Sequence, residues 1–210
     1  MNLLVSAVLG YLLGSVPFAV IVSRVFRLAD PRSFGSGNPG ATNVLRSGSK
    51  AAALLTLLGD AAKGWLAMFI TAKVGAGETA IAVAGLAAFL GHVFPFTLGF
   101  RGGKGVATAL GVLLGLSGAL AGISAGVWLT VVVFTRYSSL AALAAAAAAP
   151  ILAWWLLGKI EITVVVAVMC AVLIYRHKSN IRKLLAGSEG RIGGPKTGQS
   201  HECRCRRPLK

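Results

Sequence analysis

The chain has 210 residues, 56% hydrophobic and only 13% charged, with 21 Lys and Arg against 6 Asp and Glu and a formal charge of +15. A soluble domain carries about a quarter charged residues, so this shortage, with long apolar runs, excludes an ordinary soluble domain and indicates a polytopic membrane protein. The basic excess then reads as membrane topology rather than nucleic-acid binding, and Cys170, Cys203 and Cys205 form neither a disulfide framework nor a zinc-spaced Cys/His set.

Backbone groups in lipid must be satisfied internally, and no ten-residue alternating strands occur, so the predicted fold is all-α, a helical membrane bundle. The first apolar run, residues 2–23, lacks a basic leader and a small-residue cleavage site and reads as a retained span. Further runs follow at 51–72, interrupted only by Asp60 and Lys63, and at 79–100, 105–135, 137–158 and 162–175. As one helix, residues 105–135 would measure about 46 Å, far beyond a ~30 Å hydrocarbon core. Gly115-Leu-Ser-Gly118 inside that run is the place to turn the chain. Seven spans with the N-terminus outside put 18 of the 21 Lys and Arg on the cytoplasmic side, leaving Lys73 and Lys159 outside and Lys63 within a span. Six spans divide them 12 against 8, so the pattern favours seven, with a cytoplasmic C-terminus.

That topology gathers the polar motifs at one face. FGSGNPGATN, residues 34–43, matches a dinucleotide fingerprint through Gly35, Gly37 and Gly40, but it has neither a preceding strand nor room for a βαβ unit. Its glycines let backbone N–H groups converge on an anion, Ser36, Asn38, Thr42 and Asn43 add neutral hydrogen-bonding groups, and Arg46 adds a planar fork; a plain interfacial loop accounts for them equally well. RGGKGVAT fails as a nucleotide loop, because Leu98 stands where a Walker motif needs Gly and Gly105 follows the lysine. Three glycines around Lys104 still predict an N–H-rich pocket with one point charge at a helix N-terminus, the alternative being a positively charged span anchor. His92 has Thr97 rather than Asp five residues on, so it reads as a structural histidine. Asp60 and Lys63 are three residues apart and read as a mutual pair within the bundle. His177 and Asn180 share a helical face at the end of the last span, and Ser139 opens another span at the same level.

The combination GSGNPGATNVLR, GHVFPFTLGFRGGKGVAT and YRHKSNIRKLLAGSE, in that order, resembles the signature regions of the bacterial acyl-phosphate:glycerol-3-phosphate acyltransferase family. The resemblance spans roughly residues 10–190. It implies a seven-span inner-membrane enzyme that makes lysophosphatidic acid from acyl phosphate and glycerol 3-phosphate, with its site at the cytoplasmic face. The site residues it implies are Ser36, Arg46, Lys104, His177 and Asn180 for catalysis. For substrate binding it implies Gly37, Asn38, Asn43, Gly102, Gly103, Gly105 and Ser139.

Two anionic phosphates meeting at one site require cations and donors, and a donor with an acyl chain keeps that chain in the bilayer. The scheme needs no metal and no cofactor. The proton acceptor is either His177 or the donor's own phosphate; no carboxylate partner for His177 is evident in the sequence, and the balance leans to the phosphate. Membrane lipid is the remaining partner. A transporter or exchanger of organic phosphates is the rival class, but such proteins place their sites near the midplane, often between internal repeats, and no repeat is visible here. Residues 1–190 are expected to form the membrane domain and residues 191–210 a basic, disordered tail.

Overall fold

The computed structural model describes residues 2–193. Among them the secondary structure is entirely helical: α1 (Leu3–Gly14), α2 (Phe18–Val25), α3 (Ala41–Leu45), α4 (Lys50–Lys73), α5 (Glu78–Val93), α6 (Val106–Leu116), α7 (Gly118–Thr135), α8 (Ser138–Leu157), α9 (Ile160–Arg176) and α10 (Lys178–Leu185). Leu3–Val25, Lys50–Lys73, Glu78–Leu98, Gly118–Thr135 and Ser138–Leu157 are long and apolar enough to cross a membrane. A sixth is reached if α9 and α10, bent 57° from one another, count as one span.

The turn predicted inside 105–135 is present. Leu116 ends α6, and the Ser117 side chain caps α7 by accepting from the Leu120 N–H. The sequence did not reveal how short α6 is. Its 11 residues rise only about 16 Å, too little to cross the ~30 Å core alone. The first run also differs from one straight span, because Pro17 separates α1 from α2. The Val16 carbonyl at that break accepts from Lys63 Nζ at 2.8 Å, so a buried cation satisfies backbone that the helix no longer does.

Lipid tails are as apolar as leucine, so close backbone approach and dispersion, rather than hydrophobic burial, hold such helices together. The α1–α5 contact shows this directly. A Cβ at Gly14 would stand 2.0 Å from the Ala88 carbonyl oxygen, so only glycine permits the spacing. Tyr11 donates to the Phe94 carbonyl at 2.7 Å and Thr97 to the Ser15 carbonyl at 2.7 Å, which fixes the far end of α5 against the break in the first span. On the outside the arrangement is inverted relative to a soluble protein: Phe134 is 83% and Trp155 79% exposed. These are lipid-facing positions of a multi-pass membrane protein.

Inside α4, Asp60 and Lys63 form the expected pair, with Oδ1 2.9 Å from Nζ and both side chains buried. His92 is buried as well and joins them, its Nδ1 3.3 Å from the same carboxylate oxygen. It packs inside the bundle, and the carboxylate it meets, Asp60, lies far from the offset at which a partner was sought.

Candidate active site

Four chain segments converge at the helix ends on the α2–α3 side: residues 28–46, residues 99–105, the start of α8, and the α9–α10 corner with the strap that follows it. The first two of these and the α9–α10 corner line an open cleft of about 980 Å³. Ser36, Gly37, Asn38, Gly102, Lys104 and Asn180 all line it. The structure thus brings together six predicted site residues drawn from three separate motifs.

The first loop is shaped by Asn43. This side chain is buried, its Oδ1 accepts from the Ser36 N–H at 3.0 Å, and its Nδ2 donates to the Pro31 carbonyl at 2.6 Å and the Phe34 carbonyl at 3.1 Å. Both ends of the amide are therefore occupied within the loop, so Asn43 sets the loop's form and presents Ser36 to the cleft. Gly35 and Gly37 adopt the left-handed conformation that the tight path requires. Arg46 runs alongside: a Cβ at Gly35 would lie 3.4 Å from its Nη1, and one at Gly190 3.8 Å from its Nη2. Its guanidinium makes no hydrogen bond or ion pair among the described residues. Arg32, also on the cleft, is instead held by Asp30 through a two-pronged contact, with Nη2 2.6 Å from Oδ2.

The second loop differs from expectation in one respect. The Gly102 and Gly103 N–H groups were expected to face an anion; here they donate to the Val93 and His92 carbonyls at 3.1 and 3.2 Å. Their lack of side chains serves contact instead, since a Cβ at Gly102 would meet the His92 carbonyl oxygen at 2.1 Å. Arg176 clamps the same loop, donating from Nη2 to the Gly102 carbonyl at 3.0 Å while its guanidinium lies 5.6 Å from the Phe94 ring centre. Gly105, left-handed and packed on Phe89, begins α6, so Lys104 sits at a helix N-terminus as predicted.

Lys104 Nζ donates to Asn180 Oδ1 at 2.5 Å, and Asn180 Nδ2 donates to Glu189 Oε1 at 2.7 Å. The same oxygen accepts from Ser139 Oγ at 2.6 Å. One chain of contacts therefore links Lys104, Asn180, Glu189 and Ser139 across three elements. Burial pulls the Lys104 ammonium down to about 8, with the Glu189 carboxylate working in the opposite direction and the neighbouring Arg46 cation adding to the fall. His177, at the corner beyond the end of α9, is buried and its Nδ1 lies 2.8 Å from the Leu173 carbonyl. That carbonyl accepts only, so Nδ1 carries the proton and Nε2 keeps its lone pair. Burial holds the imidazolium down to about 4, which makes His177 neutral at physiological pH and a weak base.

Glu189 is the residue that sequence reasoning missed. It follows α10 in a strap whose next residues are fastened to the α7–α8 corner. Ile192 exchanges backbone and guanidinium hydrogen bonds with Arg136, and Arg191 Nε donates to Tyr137 Oη at 3.1 Å. The only signal available was one of just 6 acidic residues standing in a strongly basic segment. The boundary expected at 190/191 falls within this strap, and the remainder of the tail, with Cys203 and Cys205, lies outside the described residues. Among the described residues no three His, Cys, Asp or Glu side chains converge as a metal-ligand set.

A membrane-embedded helical bundle whose cations, amides and hydroxyls surround one open cleft at the helix ends has the layout of a membrane-integral enzyme working on polar headgroups at the bilayer surface. The chain belongs to the glycerol-3-phosphate acyltransferase family, whose profile matches residues 4–187. It is 59% identical to a glycerol-3-phosphate acyltransferase of Aromatoleum aromaticum, over 94% of this chain and all of that protein. It is 58% identical to one of Laribacter hongkongensis, over 93% of this chain and 99% of the relative. The fold is similar to the crystal structure of PlsY, an integral membrane glycerol 3-phosphate acyltransferase, in its glycerol 3-phosphate form. The TM-score is 0.86 at 38% identity, over 91% of this chain and 96% of that one. The lysophosphatidic acid form of the same protein matches with a TM-score of 0.84 at the same identity.

Proposed function

We propose that the protein transfers an acyl group from acyl phosphate to glycerol 3-phosphate in the cleft between the two glycine loops and the α9–α10 corner, yielding lysophosphatidic acid and inorganic phosphate. The observation that carries this reading is the Lys104–Asn180–Glu189–Ser139 chain, with Lys104 and Asn180 lining the cleft beside Ser36, and Arg46 close enough to act on the Lys104 charge. It provides a cation, amide and hydroxyl groups and one acceptor around a space large enough for two small phosphates. Family membership and the glycerol 3-phosphate and lysophosphatidic acid forms of the solved relative support glycerol 3-phosphate as the acceptor. The transporter reading draws no support from them, and the cleft lies at the helix ends rather than midway along the bundle.

In this reading Arg46 and Lys104 hold the phosphates. Arg46 offers a planar fork and Lys104 a point charge at the head of α6. Ser36, Gly37 and Asn38 line the approach, Ser139 supports it from behind through Glu189, and Asn43, Gly102, Gly103 and Gly105 fix the shape of the loops. The acceptor hydroxyl oxygen bonds to the acyl carbon, the acyl carbon–oxygen bond to phosphate breaks, and inorganic phosphate leaves with the electron pair. The hydroxyl proton passes to the donor's phosphate. A buried His177 with a conjugate acid near pH 4 is too weak a base for that role, and it orients the acceptor through Nε2 instead. The scheme requires no metal.

The cleft faces the cytosol in a seven-segment arrangement in which α6, too short to cross alone, enters only part of the core and α7 returns the chain to the same side. The N-terminus lies outside, the C-terminus inside, and the host is the inner membrane, with the strap through Ile192 part of the membrane domain and a basic tail after it. The acyl chain of the donor stays in lipid, gaining about 0.8 kcal/mol per buried CH₂, while glycerol 3-phosphate enters from water. The purified protein in detergent should form lysophosphatidic acid and phosphate from these two substrates without a second compartment. Acyl-CoA, for whose nucleotide and pantetheine arm the described residues form no separate domain, should be a very poor donor. Comparable turnover with acyl-CoA, free of acyl phosphate, refutes the donor assignment.

A further inference from the structure

We propose that His92, held by the buried Asp60–Lys63 pair, is a positioning residue that sets the place of Lys104. The proposal rests on the reading of the second glycine loop as a phosphate cradle. Asp60, Lys63 and His92 are 2, 4 and 8% exposed, and a helix bundle in lipid keeps buried ionic groups only where they have work to do. A pair that merely propped α4 would need only each other. Here the carboxylate oxygen shared with Lys63 also meets His92 Nδ1 at 3.3 Å, across from α4 to the end of α5.

The other edge of the imidazole faces the glycine loop. A Cβ at Gly103 would stand 2.1 Å from His92 Nε2, so the ring lies directly against this backbone. The loop is fastened to the same turn of α5, because Gly103 and Gly102 donate to the His92 and Val93 carbonyls. Lys104 is the next residue. Lys63 extends the support to the break in the first span through the Val16 carbonyl, and Pro39 of the first glycine loop lines the same small cavity as Asp60, Lys63, His92 and Gly103. A single buried unit therefore underlies both loops. Its ring orientation is transmitted to the cleft through one backbone step, from Gly103 to Lys104.

Two charge-balanced variants test this. Asp60→Leu with Lys63→Met replaces the pair by apolar side chains, leaves no lone charge, and deprives His92 of its partner. His92→Asn keeps an N–H for Asp60 but removes the ring edge under Gly103. Folding is followed by monodispersity in detergent and by thermal unfolding. Both variants should stay folded, keep kcat within about twofold, and raise KM for at least one of the two phosphate substrates at least fivefold, the pattern of a lost binding contribution. A purely structural pair predicts unchanged KM in both. Values within twofold of the parent for both substrates overturn the proposal, and if the double variant does not fold, His92→Asn alone decides it. Lys104→Ala separates the two levels. If it too leaves both KM values unchanged, the cradle reading has failed; if it raises KM while the two variants do not, only the role of His92 has.

Discussion

The charge on Lys104 should be visible in the pH dependence of turnover. Its ammonium titrates at about 8 rather than 10.5, chiefly because it is buried, and binding an anionic phosphate requires the protonated form. The protonated fraction is about 0.9 at pH 7 and about 0.09 at pH 9, so kcat/KM, which reports the free enzyme, should fall about tenfold between them. The phosphate substrates lose their second proton near pH 6 and contribute nothing over this range. Unfolding is not the cause either: between pH 8 and 10.5 the unfolded chain binds more protons at this lysine than the folded one, so stability from this group rises with pH. Lys104→Arg stays charged throughout and should lose the alkaline limb, whatever its absolute rate. Glu189→Gln removes a carboxylate that holds the lysine pKa up, so it should move the limb to lower pH. Initial rates of phosphate release at subsaturating substrate, from pH 6.5 to 9.5, measure all three. A flat profile, or an equal fall in Lys104→Arg, refutes the assignment.

Other expectations concern neighbouring charges and topology. Arg46→Ala and Lys104→Ala should each lower kcat/KM at least tenfold with folded protein retained, and Arg46→Lys should not be conservative, because a point charge cannot replace a fork. Arg32→Ala and Lys50→Ala should have small effects, Arg32 being neutralised by Asp30 already; equal sensitivity at all four positions would indicate bulk surface charge. Removing one partner from the buried pair, as in Asp60→Ala, leaves Lys63 uncompensated and should cost about 3–5 kcal/mol of stability, read as a large drop in thermal midpoint. An impermeant thiol reagent should label Cys203 and Cys205 only after the membrane is opened, and labelling in intact spheroplasts would contradict the orientation.

The apolar runs made the helices legible because only length and composition decide whether a segment suits lipid, and the Gly115–Gly118 interruption located the α6–α7 turn correctly. Pair spacing within one helix was equally readable, so Asp60 and Lys63 were matched from three-residue separation alone. Contacts between segments were not. His92 meets Asp60, and Glu189 reaches Ser139 and Asn180, only because helix packing and the 57° bend after α9 bring distant chain together. The glycine loops show the same limit at finer scale. Glycine allows either an anion-facing N–H or a close backbone approach, and the carbonyls of His92 and Val93, invisible in the local pattern, select the second at Gly102 and Gly103.

The central claim is that a phosphate headgroup is held in the cleft by Lys104 and Arg46. It is tested most directly by a crystal structure of the protein with tungstate, whose anomalous signal marks the anion unambiguously. The oxyanion should lie between the two glycine loops, with one oxygen about 3 Å from Lys104 Nζ and another within reach of the Arg46 guanidinium. An anion bound elsewhere, or one in the cleft touching neither cation, would contradict it.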